Sequence, residues 1–173
     1  MTSVAIVLGS VRPGRWGEQV ANWVQGSAQE AGFEATIIDL RDFDLPVFAE
    51  EMAPSIEAPT QPEGVRFRQA LEARDAVIFV TPEYNHSIPG GLKNAIDYLP
   101  PSTLKDKSVG LVGYSWSGAT KPLQHLREIL GTFGTAIRDQ QVGLNLGSDF
   151  ADGVLSPDDD ARGQVRRLLA SLV

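Results

Sequence analysis

Three stretches of this chain, Val4 to Leu8, Ala76 to Thr81 and Val109 to Tyr114, are almost unbroken runs of apolar residues. A strand with one wet face alternates apolar and polar side chains, whereas a strand covered on both faces has no polar alternation to show. Doubly covered strands belong to parallel sheets, because the helices that connect parallel strands cover both surfaces. Two further runs, Ala35 to Leu40 and Ala136 to Val142, bring the set to five. The last contains Arg138, Asp139, Gln140 and Gln141, which is too polar for a sheet centre and fits an edge.

Helical periodicity fills the intervals. Val20, Val24, Ala28 and Ala31 share one helix face, with Gly32 as the stop. Phe67, Ala70 and Leu71 mark a second helix that starts near Pro62. Leu92, Ala95, Ile96 and Leu99 mark a third, closed by Pro100 and Pro101. Leu123, Leu126, Leu130 and Phe133 mark a fourth; Val165, Leu168, Leu169 and Leu172 a fifth, with Ser156-Pro157-Asp158 as its cap and first turn. A βα unit repeated five times predicts an open parallel sheet with helices on both faces. The 173 residues are enough for one self-sufficient domain, taken as 1–173. The irregular segment Leu45 to Pro62, with four prolines, is longer than an ordinary connection and reads as a flap or subunit contact.

The chain has no Cys, which excludes disulfides, thiolate metal ligands and cysteine nucleophiles. With only His86 and His125 besides, no metal site is assigned. A formal net charge of −7 and a pI near 4.8 describe a surface that repels phosphate backbones and anionic lipid. Neither a nucleic-acid nor a membrane partner is therefore expected. No run approaches the ~20 apolar residues of a spanning helix. The start, MTSVAIVLGS, lacks the basic region of a signal peptide. A soluble, cytoplasmic protein is the expectation.

In such a sheet, ligands bind beyond the carboxyl ends of the strands, where the strand order reverses. The loop after the first strand, Gly9-Ser10-Val11-Arg12-Pro13-Gly14-Arg15-Trp16-Gly17, combines backbone freedom, a hydroxyl, two guanidinium groups and a helix N-terminus. That combination points to an anion, a phosphate above all. Gly9 and Gly14 have Walker A spacing, but Arg15-Trp16 stands where Lys and a magnesium-binding hydroxyl belong. The G-x-G-x-x-G dinucleotide pattern is absent, as is the acidic cluster of a receiver domain.

The loop after the third strand, Pro82-Glu83-Tyr84-Asn85-His86-Ser87-Ile88-Pro89-Gly90-Gly91, is stiffened by proline at both ends. It is equipped to meet the edge of a planar heterocycle with fixed backbone groups, with Tyr84 or His86 against the ring. His86 alone reads equally as a surface residue, and Lys93 with Asp97 as an ordinary i, i+4 pair. After the fourth strand, Tyr114-Ser115-Trp116-Ser117-Gly118-Ala119-Thr120 offers hydroxyls and an indole. Thr120 is the expected helix cap there.

GSVRPGRWG and PEYNHSIPGGLKNAIDYL, in these positions, resemble the two signatures of the NADPH-dependent FMN reductase family, which includes quinone and azo-dye reductases. The resemblance implies a flavodoxin-like three-layer α/β sandwich with sheet order 2-1-3-4-5, bound FMN, NADPH or NADH as electron donor, and a homodimer or homotetramer. It also implies that Ser10, Arg12 and the backbone from Trp16 through Gly17 and Glu18 to Gln19 hold the FMN phosphate. Pro82, Glu83, Tyr84 and Asn85, with Ser87 close by, would line the ring and ribityl chain. Ser115 and Ser117 would close the site. Many relatives have a small hydroxyl residue where this chain has Arg15-Trp16-Gly17, which implies either that Arg15 takes over that anion contact or that phosphate binding is weaker than the family norm. No residue is required as an acid or base, because the flavin carries the chemistry. The function implied is hydride transfer from NAD(P)H through FMN to a quinone-like or other small acceptor. The alternatives are a flavodoxin-type electron carrier, and a nucleotide or sugar-phosphate binder without flavin.

Overall fold

Side chains alternate across a strand, so residues of opposite parity in a doubly covered strand enter different cores. The computed structural model, which describes residues 1–173, shows this division throughout. Its main sheet contains β1 (Ser3–Leu8), β2 (Glu34–Asp39), β3 (Ala76–Pro82), β4 (Ser108–Ser115) and β5 (Ala136–Asn145), all parallel, in the order β2-β1-β3-β4-β5. Val4, Ile6 and Leu8 pack with Val20 and Val24 of α1 (Gly17–Glu30) and Val165 and Leu168 of α5 (Asp159–Ser171). Ala5 and Val7 face the other core, formed by α2 (Pro62–Glu72), α3 (Gly90–Asp97) and α4 (Thr120–Leu130) through Phe67, Leu92 and Leu123. The expected architecture, including the strand order, is the observed one.

The expected edge strand is β5, which runs past Val142 to Asn145. Its pairing slips between Val109↔Ile137 and Leu111↔Gln141, so Arg138, Asp139 and Gln140 form a bulge. That slip removes the polar residues from the ladder. A small antiparallel hairpin, β6 (Phe150–Ala151) and β7 (Val154–Leu155), was not expected; it turns on Asp152-Gly153, both at positive φ.

Helix ends follow local chemistry. Pro62 occupies the first position of α2, behind a Gln61 cap, and Asp158 caps α5 by accepting from the Ala161 amide at 2.8 Å. Thr120 is not the cap of α4. Ala119, at φ 59°, holds that place, and Ser115 Oγ accepts its amide at 2.7 Å. The serine at the end of β4 reaches across the turn, so the threonine hydroxyl is not needed.

Segment 43–61 has neither helix nor strand. It is strapped over α3: Asn94 accepts from the Phe48 amide at 2.8 Å and donates to Pro46 O at 2.7 Å. Val47 and Ile56 nonetheless remain exposed on it. No helix of the protein is long and apolar enough to cross a membrane.

Register brings the C-terminal ends of the central strands to one rim, with Leu8 beside Val80 and Pro82 beside Tyr114. Gly9 leaves β1 there with no room for a side chain: a Cβ would lie 2.8 Å from Leu92 and 2.9 Å from the Val80 carbonyl oxygen. Gly26, inside α1, meets nothing within 4 Å. The two alanine variants should therefore differ in sign under urea unfolding. Gly9→Ala is expected to cost about 1–3 kcal/mol by overpacking, and Gly26→Ala to stabilise by about 0.5–1 kcal/mol through helix propensity.

Candidate functional site

Three strand-to-helix loops surround a crevice of about 470 Å³ at this rim. The β1–α1 loop contributes Arg12, Gly14, Arg15 and Trp16; the β3–α3 loop contributes Pro82, Glu83 and Tyr84; Tyr114, Ser115 and Trp116 come from the end of β4, and Leu146 follows β5. The volume lies within the range of about 300–1,000 Å³ usual for small-molecule sites.

The β1–α1 end is built for negative charge. No side chain caps α1, so the positive end of this helix is open to an anion. Arg12 lies over the Tyr84 ring, its guanidinium carbon 5.5 Å from the centroid. Ser10 is fully buried and shares a 2.7 Å hydroxyl–hydroxyl bond with Tyr84. Tyr84 thus stands between two loops, fixing their separation. Gly17 permits a further close approach, since a Cβ there would lie 2.5 Å from the Tyr114 hydroxyl. Burial, then the neighbouring Tyr84, push the Tyr114 phenol well above its ordinary range, so it stays protonated.

Arg15 has a different part from the one the sequence implied. Its guanidinium is paired with Asp39, including a 2.8 Å bond from Nη1 to Oδ1, and lies 3.0–3.1 Å from Glu18 Oε1. Only 2% of its side chain is exposed. Burial opposes the charges, but the hydrogen bonds outweigh it: Arg15 is raised above its ordinary value and Asp39 lowered. Glu18 belongs to this cluster. Gln19 turns the other way, holding the hairpin by donating to Gly153 O and accepting from the Leu155 amide, both at 2.8 Å. Its own amide is taken by Trp16 O at 3.1 Å. Trp16 stacks on Phe150 with 4.9 Å between centroids.

The β3–α3 loop is a tight hairpin. Tyr84 and Ser87 exchange both backbone hydrogen bonds, at 2.9 and 3.0 Å, around Asn85 and His86 at φ 49° and 65°. Both central residues are in the left-handed region, as a type I′ turn requires. Glu83 anchors the loop to its neighbour. Its carboxylate accepts from Ser117 Oγ at 2.8 Å and lies 3.2 Å from His86 Nδ1. Burial would raise its pKa, but Ser117, Ser115 and His86 together hold it below the usual carboxylate value.

Asn85 and His86 stand outside the crevice wall, and Ser87 Oγ pairs with His125 at 3.0 Å instead of facing inward. Lys93 and Asp97 form the ordinary helix pair, at 2.6 Å. Leu146 went unread because β5 extends past its polar stretch; the alternation Val142, Leu144, Leu146 was the available signal. Asp39, at the end of β2, and Arg41, just past it, which hold the β1–α1 loop from outside the crevice wall, carry no motif of their own.

The residues present fit FMN. A phosphate needs a cation and a positive helix end, which Arg12 and the uncapped start of α1 supply. A flat ring needs a rigid wall with little side-chain bulk, which Pro82 and the Tyr84–Ser87 hairpin supply. An open parallel sheet with a ligand crevice at its β1/β3 reversal defines a flavodoxin-like protein.

Within that class, the chain belongs to the NADPH-dependent FMN reductase family, whose profile it matches over residues 2–149. It is 34% identical over 137 residues to an NAD(P)H-dependent FMN reductase of Nectria sp., covering 75% of this chain and 68% of that protein. With a quinone reductase of Pseudomonas putida it is 44% identical over 96 residues, 55% of this chain, and spans only about half, 48%, of that protein's length. A solved flavoenzyme NAD(P)H:(acceptor) oxidoreductase from Paracoccus denitrificans superposes with a TM-score of 0.76 at 26% identity, over 98% of this chain and 96% of that one. The chain is accordingly an FMN-dependent NAD(P)H oxidoreductase.

Asp39 gives the site a pH signature. Its folded-state pKa lies below the ordinary 3.8, so the stability contributed by its pairing with Arg15 is complete above 3.8 and is lost as pH falls through the depressed value. Urea unfolding of Asp39→Asn should show a deficit of about 2–3 kcal/mol, between the surface and buried ion-pair limits. That deficit should be constant from neutral pH down to 3.8 and shrink below it. An unchanged deficit below pH 3 would contradict the assignment.

Proposed function

We propose that FMN lies in the crevice with its phosphate at Arg12 and the start of α1, next to the buried Ser10, and its ring against Pro82, Glu83 and Tyr84, with Asn85 at the loop tip beyond the wall. Ser115 and Ser117 close the far side. The observation that carries this placement is the 2.7 Å Ser10–Tyr84 bond, which holds an anion-binding loop and a flat, rigid loop at one fixed separation. Bound FMN supplies the hydride-relay chemistry, taking two electrons from NAD(P)H and passing them to an acceptor. The residues bind and orient. Arg12 neutralises phosphate charge, and the hydrogen-bonded Glu83 keeps the hairpin fixed beneath the ring. Gly90 starts α3 with no side-chain cap, which supports placing that positive helix end near the ring's electron-rich edge.

Donor and acceptor would use the same open side in turn. Trp116, 71% exposed at the mouth, presents a flat apolar face suited to a nicotinamide or a planar acceptor. The quinone reductase relative favours a quinone-like substrate. Val47, Met52 and Ile56, large apolar residues exposed on segment 43–61, support contact between copies in a cytoplasmic homodimer or homotetramer.

Purified protein loaded with FMN should bleach on anaerobic addition of NADPH and recover its colour when a quinone is added, with steady NADPH oxidation when no other protein is present. Bleaching without quinone turnover would mark an electron carrier in place of a reductase. Titration of Arg12→Gln with FMN should show an affinity loss of roughly tenfold or more, the scale of one charge-assisted hydrogen bond. Undiminished affinity would remove Arg12 from the phosphate site.

A further inference from the structure

Two guanidinium groups grip the outside of the β1–α1 loop. Three successive carbonyl oxygens there accept from them: Ser10 O from Arg15 Nη1, Val11 O from Arg41 Nε at 3.2 Å, and Arg12 O from Arg41 Nη2. Both donors are themselves fixed. Arg15 is held by Asp39 and Glu18, and Arg41 Nη1 reaches the same Glu18 Oε1 at 3.4 Å. The Arg41 amide also donates to Asp39 Oδ1 at 3.0 Å, in the turn that ends β2. Two guanidinium groups, braced by the carboxylates of Asp39 and Glu18, therefore hold one stretch of backbone.

Peptide geometry gives this grip a consequence. In a trans peptide the C=O and the following N–H point in opposite directions. Carbonyls drawn toward the end of β2 turn the next amides, those of Val11 and Arg12, away from it; Pro13 has none to turn. The Val11 amide has no acceptor in the protein, and the Arg12 amide has only a 3.4 Å contact with Ser10 Oγ. Left alone, so short and glycine-flanked a loop has many peptide orientations available.

We propose that Arg15 and Arg41 are positioning residues that aim the loop amides at the phosphate, while Arg12 alone supplies the contacting cation. This inference rests on the placement of FMN proposed above. Arg15 thereby sets the loop from behind, through the Ser10 carbonyl. Neither clamp residue touches the phosphate. The effect is specific to the phosphorylated ligand, because riboflavin makes no use of aimed amides at that end.

The test compares FMN with riboflavin, titrated into the flavin-free full chain and followed by flavin fluorescence. Arg41 is the residue to vary, since its side chain is 35% exposed and its removal leaves no buried unpaired charge. Wild type should prefer FMN. In both Arg41→Gln and Arg41→Lys the preference for FMN over riboflavin should fall at least about tenfold, the cost of misdirecting a hydrogen bond to a charged group, while riboflavin affinity stays within about twofold. Lysine keeps the charge but not the fork that spans two carbonyls. Retention of the preference by Arg41→Lys would reduce the residue to a point charge and overturn the inference, as would retention by both variants. Loss of riboflavin binding in step with FMN would also overturn it, by showing a general structural role. A wild type that binds neither flavin would overturn the placement of FMN itself, a separate and distinguishable failure.

Discussion

Coverage of β1, β3 and β4 on both faces is the constraint that orders this molecule. Along those strands a polar side chain has an apolar layer above and below it, and burying it unpaired is costly. Thr81 and Ser115 are buried exceptions that obey the rule: Thr81 donates its hydroxyl to the Pro82 carbonyl at 2.9 Å, and Ser115 Oγ accepts from the Ala119 amide at 2.7 Å. Functional groups are thus displaced to the strand ends, and parallel register aligns three of those ends on one rim. The crevice is a product of the same burial that stabilises the sheet.

At the rim, fixed geometry comes from contacts between loops more than from within any one of them. Ser10 joins Tyr84, Ser117 joins Glu83, and Arg15 joins Asp39. Each joins residues on different strands or their loops, so displacement of one loop is resisted by another. The Arg15–Asp39 pair is the costliest of these to desolvate, since the attraction of a buried pair only roughly repays the loss of hydration. Its additional hydrogen bonds to Glu18, the Ser10 carbonyl and the Arg41 amide are what make the arrangement tenable.

The strands and helices were legible because uninterrupted apolar runs and helical spacing each have one structural explanation in a chain of this kind. The crevice loops were legible for a related reason, since glycine, proline and polar residues cluster where the strands end. What a side chain touches was not legible. Asp39 is 24 residues from Arg15, and only the sheet order places the end of β2 beside the first loop. Ser87 and His86 sit in the same motif as Tyr84, yet the turn carries them toward α4 while Tyr84 turns inward. The β6–β7 hairpin did have a local signal in Asp152-Gly153, but its strands are two residues each, too short to leave a pattern.

The mirror-image turn at Asn85 and His86 narrows the chemical alphabet available at the tip of the β3–α3 loop. Two adjacent residues at positive φ leave little besides Gly, Asn, Asp and, less comfortably, His; branching at Cβ would break the paired backbone bonds that keep the tip flat. Trp116 is under no such restriction, being exposed at the mouth with conventional backbone geometry. Side-chain replacement at this rim is therefore conformationally free at position 116 and nearly closed at positions 85 and 86.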